Sequence, residues 1–445
     1  MKQKVYTLLL TAFVLSGWTG HLAAAQEKPW SLQDCIGYAL DHNLSVQRSA
    51  LQVQQREIDL NTALNNRLPG VAASASQNFS FGRGLTADNT YANTNTTNTG
   101  FSLGADLTLF NGLRNYNNIA LGKLNLQAAT ADLEKARDDI RVAVAQAYVQ
   151  ILYDREIAEV AARQVEIDSQ QVVRLETLQA NGKATAADVA SQRASLAQSR
   201  LSAVQAENKL SLARLDLAQL LELPSPEGFD VVVPTDDALA LPLPAGPEII
   251  YEEAVGHKPA VRAEETRLAY ADRNIALAKG GYLPSLSLSG GLGTNYYTSS
   301  GYAAKSFFDQ LGNNFSQYIG LSLNVPIFSR LSTRNQVRTA RVNYDAQQLQ
   351  LETVKKQLFK EIQQAWYNAL SARSKFESST EAASAAAESF ALAQAKYENG
   401  KSSITEFNES KNQYLKACSD LAQARYEYLY QTRLLDFYRG RDLTL

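Results

Sequence analysis

Phe101-Ser102-Leu103-Gly104-Ala105-Asp106-Leu107-Thr108-Leu109-Phe110-Asn111 places an apolar side chain at nearly every second position, with small or polar ones between. A period of two marks a strand with one apolar face. From Leu113 to about Asn181 the chain then has no proline and is dominated by Ala, Gln, Arg, Glu and Leu. Apolar positions such as Ile119, Leu126, Leu133, Ile140, Val144, Ala147 and Ile151 recur at spacings of three, four and seven. The period has changed to that of a helix. At 1.5 Å per residue, about 69 residues make a rod of roughly 100 Å, several times the usual globular helix, and such a rod has to lie against others.

The same grammar occurs twice. Asn66-Arg67-Leu68-Pro69-Gly70-Val71 returns as Gly281-Tyr282-Leu283-Pro284-Ser285-Leu286, and Leu107-Thr108-Leu109-Phe110-Asn111 as Val325-Pro326-Ile327-Phe328-Ser329. Ala180-Asn181-Gly182-Lys183 returns as Glu398-Asn399-Gly400-Lys401. Three landmarks in one order at nearly constant offset indicate internal duplication. The chain therefore divides into a signal peptide (1–25), a first repeat (26–223), a proline-rich inter-repeat segment (224–247), a second repeat (248–440) and a short tail (441–445). The first repeat reads as a helix from Leu32 to Leu68, a strand pair over 72–110, the long helix 113–181 and a helix over 185–223. The second reads as a helix from Glu248 to Tyr282, a strand pair over 285–328, the long helix 331–399 and a helix over 404–437. Each strand pair is joined by a polar stretch, 86–100 and 295–314. The prolines of 224–247 suit irregular structure packed on the rods; a mobile linker is the alternative.

Lys2, Lys4, the apolar run Val5 to Leu15 and Ala23-Ala24-Ala25 form a secretory signal rather than an anchor helix, which needs about 20 apolar residues. No cysteine stands at the cleavage site to accept lipid. Without the signal the formal charge is about −4, with no basic patch for nucleic acid. Cys35 and Cys418 read as free buried thiols rather than a disulfide framework. His21, His42 and His257 are scattered, so neither a metal site nor a cofactor is expected. No His-Glu-x-x-His, Gly-x-Ser-x-Gly or phosphate-binding glycine loop is present, which argues against an enzyme.

After the signal no run of 18 apolar residues occurs, so a membrane-inserted form would have to be a β-barrel. Apolar residues on one face of each strand, small polar ones on the other (Asp106 among them, assigned to the lumen) and aromatics at the ends fit one. Four strands per chain are too few to close, since single-chain barrels begin at eight; three chains would supply twelve. A soluble hairpin with one face on a core gives the same alternation.

With the paired Leu-Pro, Phe-Asn/Phe-Ser and Asn-Gly-Lys landmarks in order, the sequence resembles the TolC-like outer-membrane efflux protein family over nearly its whole mature length. The resemblance implies a mostly α fold with a small β part. Its parts are a trimeric α-helical barrel crossing the periplasm and a 12-stranded transmembrane β-barrel cap in the outer membrane of a Gram-negative bacterium. It implies an exit duct of a tripartite efflux or type I secretion system. The partners implied are a homotrimer, a periplasmic membrane-fusion adaptor, an inner-membrane pump (RND, ABC or MFS type) and outer-membrane lipid. Gly182 and Gly400 become the periplasmic turns. Glu406 and Glu409 match the family's acidic entrance ring, while Tyr397, Asp188 and Gln171 match its entrance latch; a solvated helix face is the plainer reading of the two glutamates. The family's second latch is missing, because its arginine and threonine fall at Ser402 and Ala187. A periplasmic coiled-coil adaptor or scaffold is the alternative function, but it would lack the paired strands. An adhesin or passive porin would not need the rods.

Overall fold

The computed structural model describes residues 29–85, 89–234, 245–300 and 303–444. The signal peptide 1–25, most of the second half of the proline-rich segment, and residues 86–88 and 301–302 of the stretches joining the strands lie outside the described residues. In chain order the elements are α1 Leu32–His42, α2 Leu44–Asn65, β1 Gly70–Leu85, β2 Tyr91–Asn111, α3 Arg114–Ala180 and α4 Ala186–Leu220. The second half contributes α5 Pro247–Val255, α6 Pro259–Lys279, β3 Ser285–Ser299, α7 Phe307–Asn313, β4 Ser316–Asn324, α8 Ser332–Glu398 and α9 Ile404–Tyr438.

Both rods are unbroken helices of 67 residues. That corresponds to a length of about 100 Å. Each is bent back sharply from its strand by residues in the left-handed conformation, Gly112 (φ 67°) and Leu113 (φ 63°) before α3, Arg330 (φ 51°) and Leu331 (φ 64°) before α8. This conformation costs a non-glycine residue about 1–2 kcal/mol, and it occurs at the same place before both rods.

The helix leading into each strand pair is broken where one helix was expected. Asn43 ends α1 and begins α2. Its side chain accepts from the Ser45 amide at 2.9 Å and donates to the Leu220 carbonyl at 3.0 Å. In the second half Pro259 opens α6 at a first-turn position, where its missing N–H costs nothing.

The strands differ from expectation more. Tyr91 to Gly100, read as a polar loop, continues β2, because its threonines favour extended backbone and β1 pairs along the whole stretch, Leu85 opposite Tyr91. The second loop contains α7, capped by Ser306, whose hydroxyl accepts from the Asp309 amide at 3.2 Å. β4 stops at Asn324 rather than 328; two residues on, Pro326 has no N–H for a ladder.

All pairings are antiparallel in the order β1-β2-β3-β4. This corrects the expected fold class. The described residues form a mostly α fold with a small, open, four-stranded antiparallel sheet, not a closed twelve-stranded barrel, and no described helix is long and apolar enough to cross a membrane. The physical reason is strand number, since each strand can turn the sheet only a little and four leave β1 and β4 with one unpaired edge each. The register does align like with like. Leu103 sits opposite Leu292, Leu107 opposite Leu288 and Leu288 opposite Leu321 on one face; Ser102 opposite Ser74, Asp106 opposite Gly70 and Ser289, and Ser289 opposite Gly320 lie on the other. The apolar face is open, with Val71, Ile319, Leu321 and Leu323 exposed.

Buried apolar residues gather in three places. The largest cluster joins α1, α3 and α4 to Trp30, Phe229 and Val231, and a second joins α5, α8 and Leu435. In the first, the Tyr148 hydroxyl donates to the Val232 carbonyl at 2.6 Å and Arg155 pairs with Asp230, which holds the start of the proline-rich segment on the rods. Cys35 lies in this core, and burial pushes its thiol up to about 12; Cys418 is half-buried, and both are free. The third cluster, Phe390, Tyr397 and Phe407, lies at the far end of the rods from the sheet.

Candidate functional site at the helical turns

Gly182 and Gly400 close the α3/α4 and α8/α9 hairpins in the same way. Each has φ near +70° (69° and 70°). The Gly182 and Lys183 amides donate to the Gln179 and Leu178 carbonyls at 2.9 and 2.8 Å; those of Gly400 and Lys401 donate to Tyr397 and Lys396 at 3.0 and 2.9 Å. This double bond pattern satisfies the last helical carbonyls and needs a left-handed residue, for which glycine carries no Cβ penalty.

The following helices start identically. Thr185 and Ser403 are N-caps whose hydroxyls accept from the Asp188 and Glu406 amides at 3.1 and 3.2 Å, and the two carboxylates reach back to the cap amides at 2.9 and 3.2 Å. The Thr185 hydroxyl and amide hold Asp188 below the usual carboxylate range; the Ser402 hydroxyl and Ser403 amide do the same for Glu406. A depressed folded value means that the cap's contribution is complete above the ordinary carboxylate value and is lost as pH falls through the folded one. Thermal melting should therefore drop less between about pH 6 and about pH 3 in a Thr185→Ala, Ser402→Ala variant, which removes the hydroxyl partner of each carboxylate, than in the unaltered chain.

The expected site residues are thus placed as follows. Glu406 is turned onto its own helix N-terminus. Glu409, one turn on, is exposed and lines a cleft of about 640 Å³ between the first turns of α4 and α9, together with Asp188, Asn408 and Asn412. Tyr397 is buried, its ring stacked on Phe407 at 5.0 Å; burial, and to a lesser degree nearby Asp188, raise its hydroxyl while Arg174 lowers it. Asp188 spends its carboxylate on Thr185. No hydrogen bond joins it to Tyr397 among the described residues. Gln171 is buried with its Oε1 unpaired. Asp106 lies in the sheet, far along the rods from this end.

Three residues passed over in the sequence bind the hairpins together here. Arg174 of α3 donates to the Tyr397 and Glu398 carbonyls at 3.2 and 2.8 Å, with its guanidinium 4.8 Å from the centre of the Tyr397 ring. It caps the C-terminus of α8, where a cation meets the negative end of the helix dipole. Asp168 of α3 and Lys411 of α9 form an ion pair, both fully buried. A signal for them existed: Asp168 stands seven residues from both Ala161 and Leu175, and Lys411 four from both Phe407 and Leu415, so each charge falls between buried apolar positions of its helix.

The architecture is thus two long helical hairpins with an apolar-faced sheet at one end and polar capped turns at the other. The sequence matches the family described as outer membrane efflux protein over residues 35–222 and 250–441, and the chain belongs to that family. It is 24% identical to the outer membrane efflux protein BepC of Brucella suis over 370 residues, 82% of this chain and 75% of that one. To outer membrane protein OprJ of Pseudomonas aeruginosa it is 25% identical over 385 residues, 83% and 75% of the two chains. Among solved structures, the Campylobacter jejuni CmeC outer membrane channel superposes with a TM-score of 0.76 at 18% identity, covering 93% of this chain and 87% of that one. The chain is accordingly an exit duct of a TolC-like efflux or secretion system, located in the Gram-negative outer membrane with a periplasmic extension.

Proposed function

We propose that the chain acts as a homotrimer whose Gly182 and Gly400 turns form the periplasmic entrance, docked to a membrane-fusion adaptor and fed by a pump of the RND, ABC or MFS type. Residues 26–223 and 248–440 are its two repeats, joined by the segment 224–247, and Asp106 faces the conduit at the sheet end. The observation that carries this reading is the cleft at the turns, where Asp188 of α4 and Glu409 of α9 line one cavity at the end of the rods farthest from the sheet. Three copies would concentrate the Glu409 carboxylates, with the Glu406 charges just behind them, at one constriction. A ring of that sign attracts cations and repels anions.

Reversal potentials across a planar bilayer under a KCl gradient test this. The Glu406→Gln, Glu409→Gln variant keeps side-chain size and leaves the capping box possible, since glutamine also serves at its third position. Its cation-to-anion permeability ratio should fall several-fold at neutral pH, and added salt should shrink the difference. An unchanged ratio would mean that these glutamates are only a solvated helix face.

The latch at this entrance is the ring of Tyr397 rather than its hydroxyl, since the ring carries the stacking on Phe407 and the contact with Arg174. Arg174→Ala should raise single-channel conductance, while Tyr397→Phe should leave it close to the unaltered value. The opposite order would assign the latch to the hydroxyl and Asp188.

A further inference from the structure

Asp168 is fully buried, and three side chains from two other helices converge on its carboxylate. Lys411 of α9 donates its ammonium to Oδ1, Gln192 of α4 donates to the same oxygen at 3.2 Å, and Ser199 of α4 donates its hydroxyl to Oδ2. Gln192, Ser199 and Lys411 are each no more than 2% exposed. A single carboxylate therefore ties α3 to its own hairpin partner and to the last helix of the other hairpin, 243 residues away in sequence.

Surface ion pairs such as Lys416 with Asp420 on α9 or Arg56 with Asp59 on α2 are screened by water and join neighbours within one helix. The Asp168–Lys411 pair differs on both counts. With both side chains buried, removing one partner leaves the other charge in the interior with nothing to compensate it, so the two charges are coupled and each depends on the other being there. Helix geometry adds a consequence. Glu409 precedes Lys411 by two residues, which on a helix is about 200° of rotation. Drawing Lys411 into the interior turns Glu409 outward into the cleft at the opposite side of α9, where it is exposed.

We propose that the Asp168–Lys411 pair, oriented by Gln192 and Ser199, is an internal pin that fixes α9 on the α3/α4 hairpin and sets the rotation at which Glu409 is presented. Asp168 and Lys411 are positioning residues: neither faces the cleft's solvent. The proposal rests on the entrance reading only for what Glu409 does; the pin itself concerns how the helices are held.

A double-mutant cycle on the full-length, membrane-assembled protein tests it, with Asp168→Asn, Lys411→Met and both together. Two readouts are taken, amide hydrogen exchange over residues 404–420 and single-channel conductance in planar bilayers. Each single change should speed exchange at the start of α9 at least about tenfold and raise conductance, because an unpaired buried charge draws in water. The double change, which removes both charges, should lie closer to the unaltered protein than either single one. Exchange unchanged in both single variants, or a double variant whose effect equals the sum of the single ones, would overturn the pin. If the single variants do not accumulate, the neutral pair decides alone: recovery of assembled, slowly exchanging protein supports the pin, and its failure to assemble overturns it. Exchange that responds while conductance does not would uphold the pin and remove the entrance reading instead.

Discussion

Gly112→Ala should leave almost no assembled protein in the outer membrane. Gly112 sits at φ 67°, and a Cβ built on it would lie 2.3 Å from the Gly280 carbonyl oxygen and 2.9 Å from Leu283 Cβ. The left-handed conformation alone costs an alanine about 1–2 kcal/mol. The collision is worse, because the obstacle is backbone and no side-chain rotation relieves it. The contact is also reciprocal: a Cβ on Gly280 would meet the Gly112 carbonyl oxygen at 2.6 Å. The two halves of the chain therefore cross here, where strands give way to rods, with only glycine backbone between them. A loss of about 3 kcal/mol or more is expected, a large part of a typical folding free energy. Gly182→Ala is the control, since it shares the positive φ but has nothing within 4 Å. It should cost only the conformational term and assemble with a modestly lower melting temperature. Equal assembly of the two variants, measured on extracted membranes, would show that the crossing can relax.

Truncating Phe407 to alanine should have the largest effect at the turns. The ring is fully buried and is among the bulkiest such side chains in the chain. It stacks on Tyr397 at 5.0 Å and tilts against Phe390 at 5.7 Å. Removing a buried phenylalanine side chain costs about 3–5 kcal/mol when the cavity cannot collapse. The cluster is small and separated from the two main cores, so the loss should appear as local opening rather than global unfolding. Hydrogen exchange should accelerate over the end of α8 and the start of α9 while the α1/α3/α4 core keeps its protection. Phe407→Leu should recover much of the difference. Uniform acceleration across both regions would mean that the turns and the cores unfold as one unit.

The features legible in the sequence are those encoded locally. Rod lengths came from an uninterrupted 3.6-residue period, the turns from Asn-Gly-Lys at the two rod ends, and the faces of the sheet from strict alternation over Phe101 to Leu107. Misreadings arose where local signals compete. The Asn- and Thr-rich stretch before Gly100 has the composition of a loop, yet its threonines extend β2 once β1 is there to pair with it. Asn43 carries a helix break inside a segment that reads as one helix, and its side chain caps the second piece by accepting from the Ser45 amide.

At the candidate site the same division holds. Glu406, Glu409, Asp188 and Tyr397 are proposed because the family resemblance gives roles to the positions they occupy beside the two turns. Arg174, Asp168 and Lys411 were passed over, because their meaning depends on which helix lies opposite. An aspartate in an apolar stripe is only an anomaly until Lys411 is brought to it from the other hairpin.

The sequence by itself determined that the chain has two strand pairs, each followed by a long helical hairpin, since hydrophobic period and helix-stop chemistry act over a few residues and need no partner to be read. Only the tertiary structure decided that the four strands form one open sheet in the order β1-β2-β3-β4. It alone decided that Gly112 and Gly280 meet, and that a buried carboxylate binds α3, α4 and α9. Those outcomes depend on pairing, close approach and desolvation between residues far apart in the chain, and no local pattern records which of several apolar faces will meet.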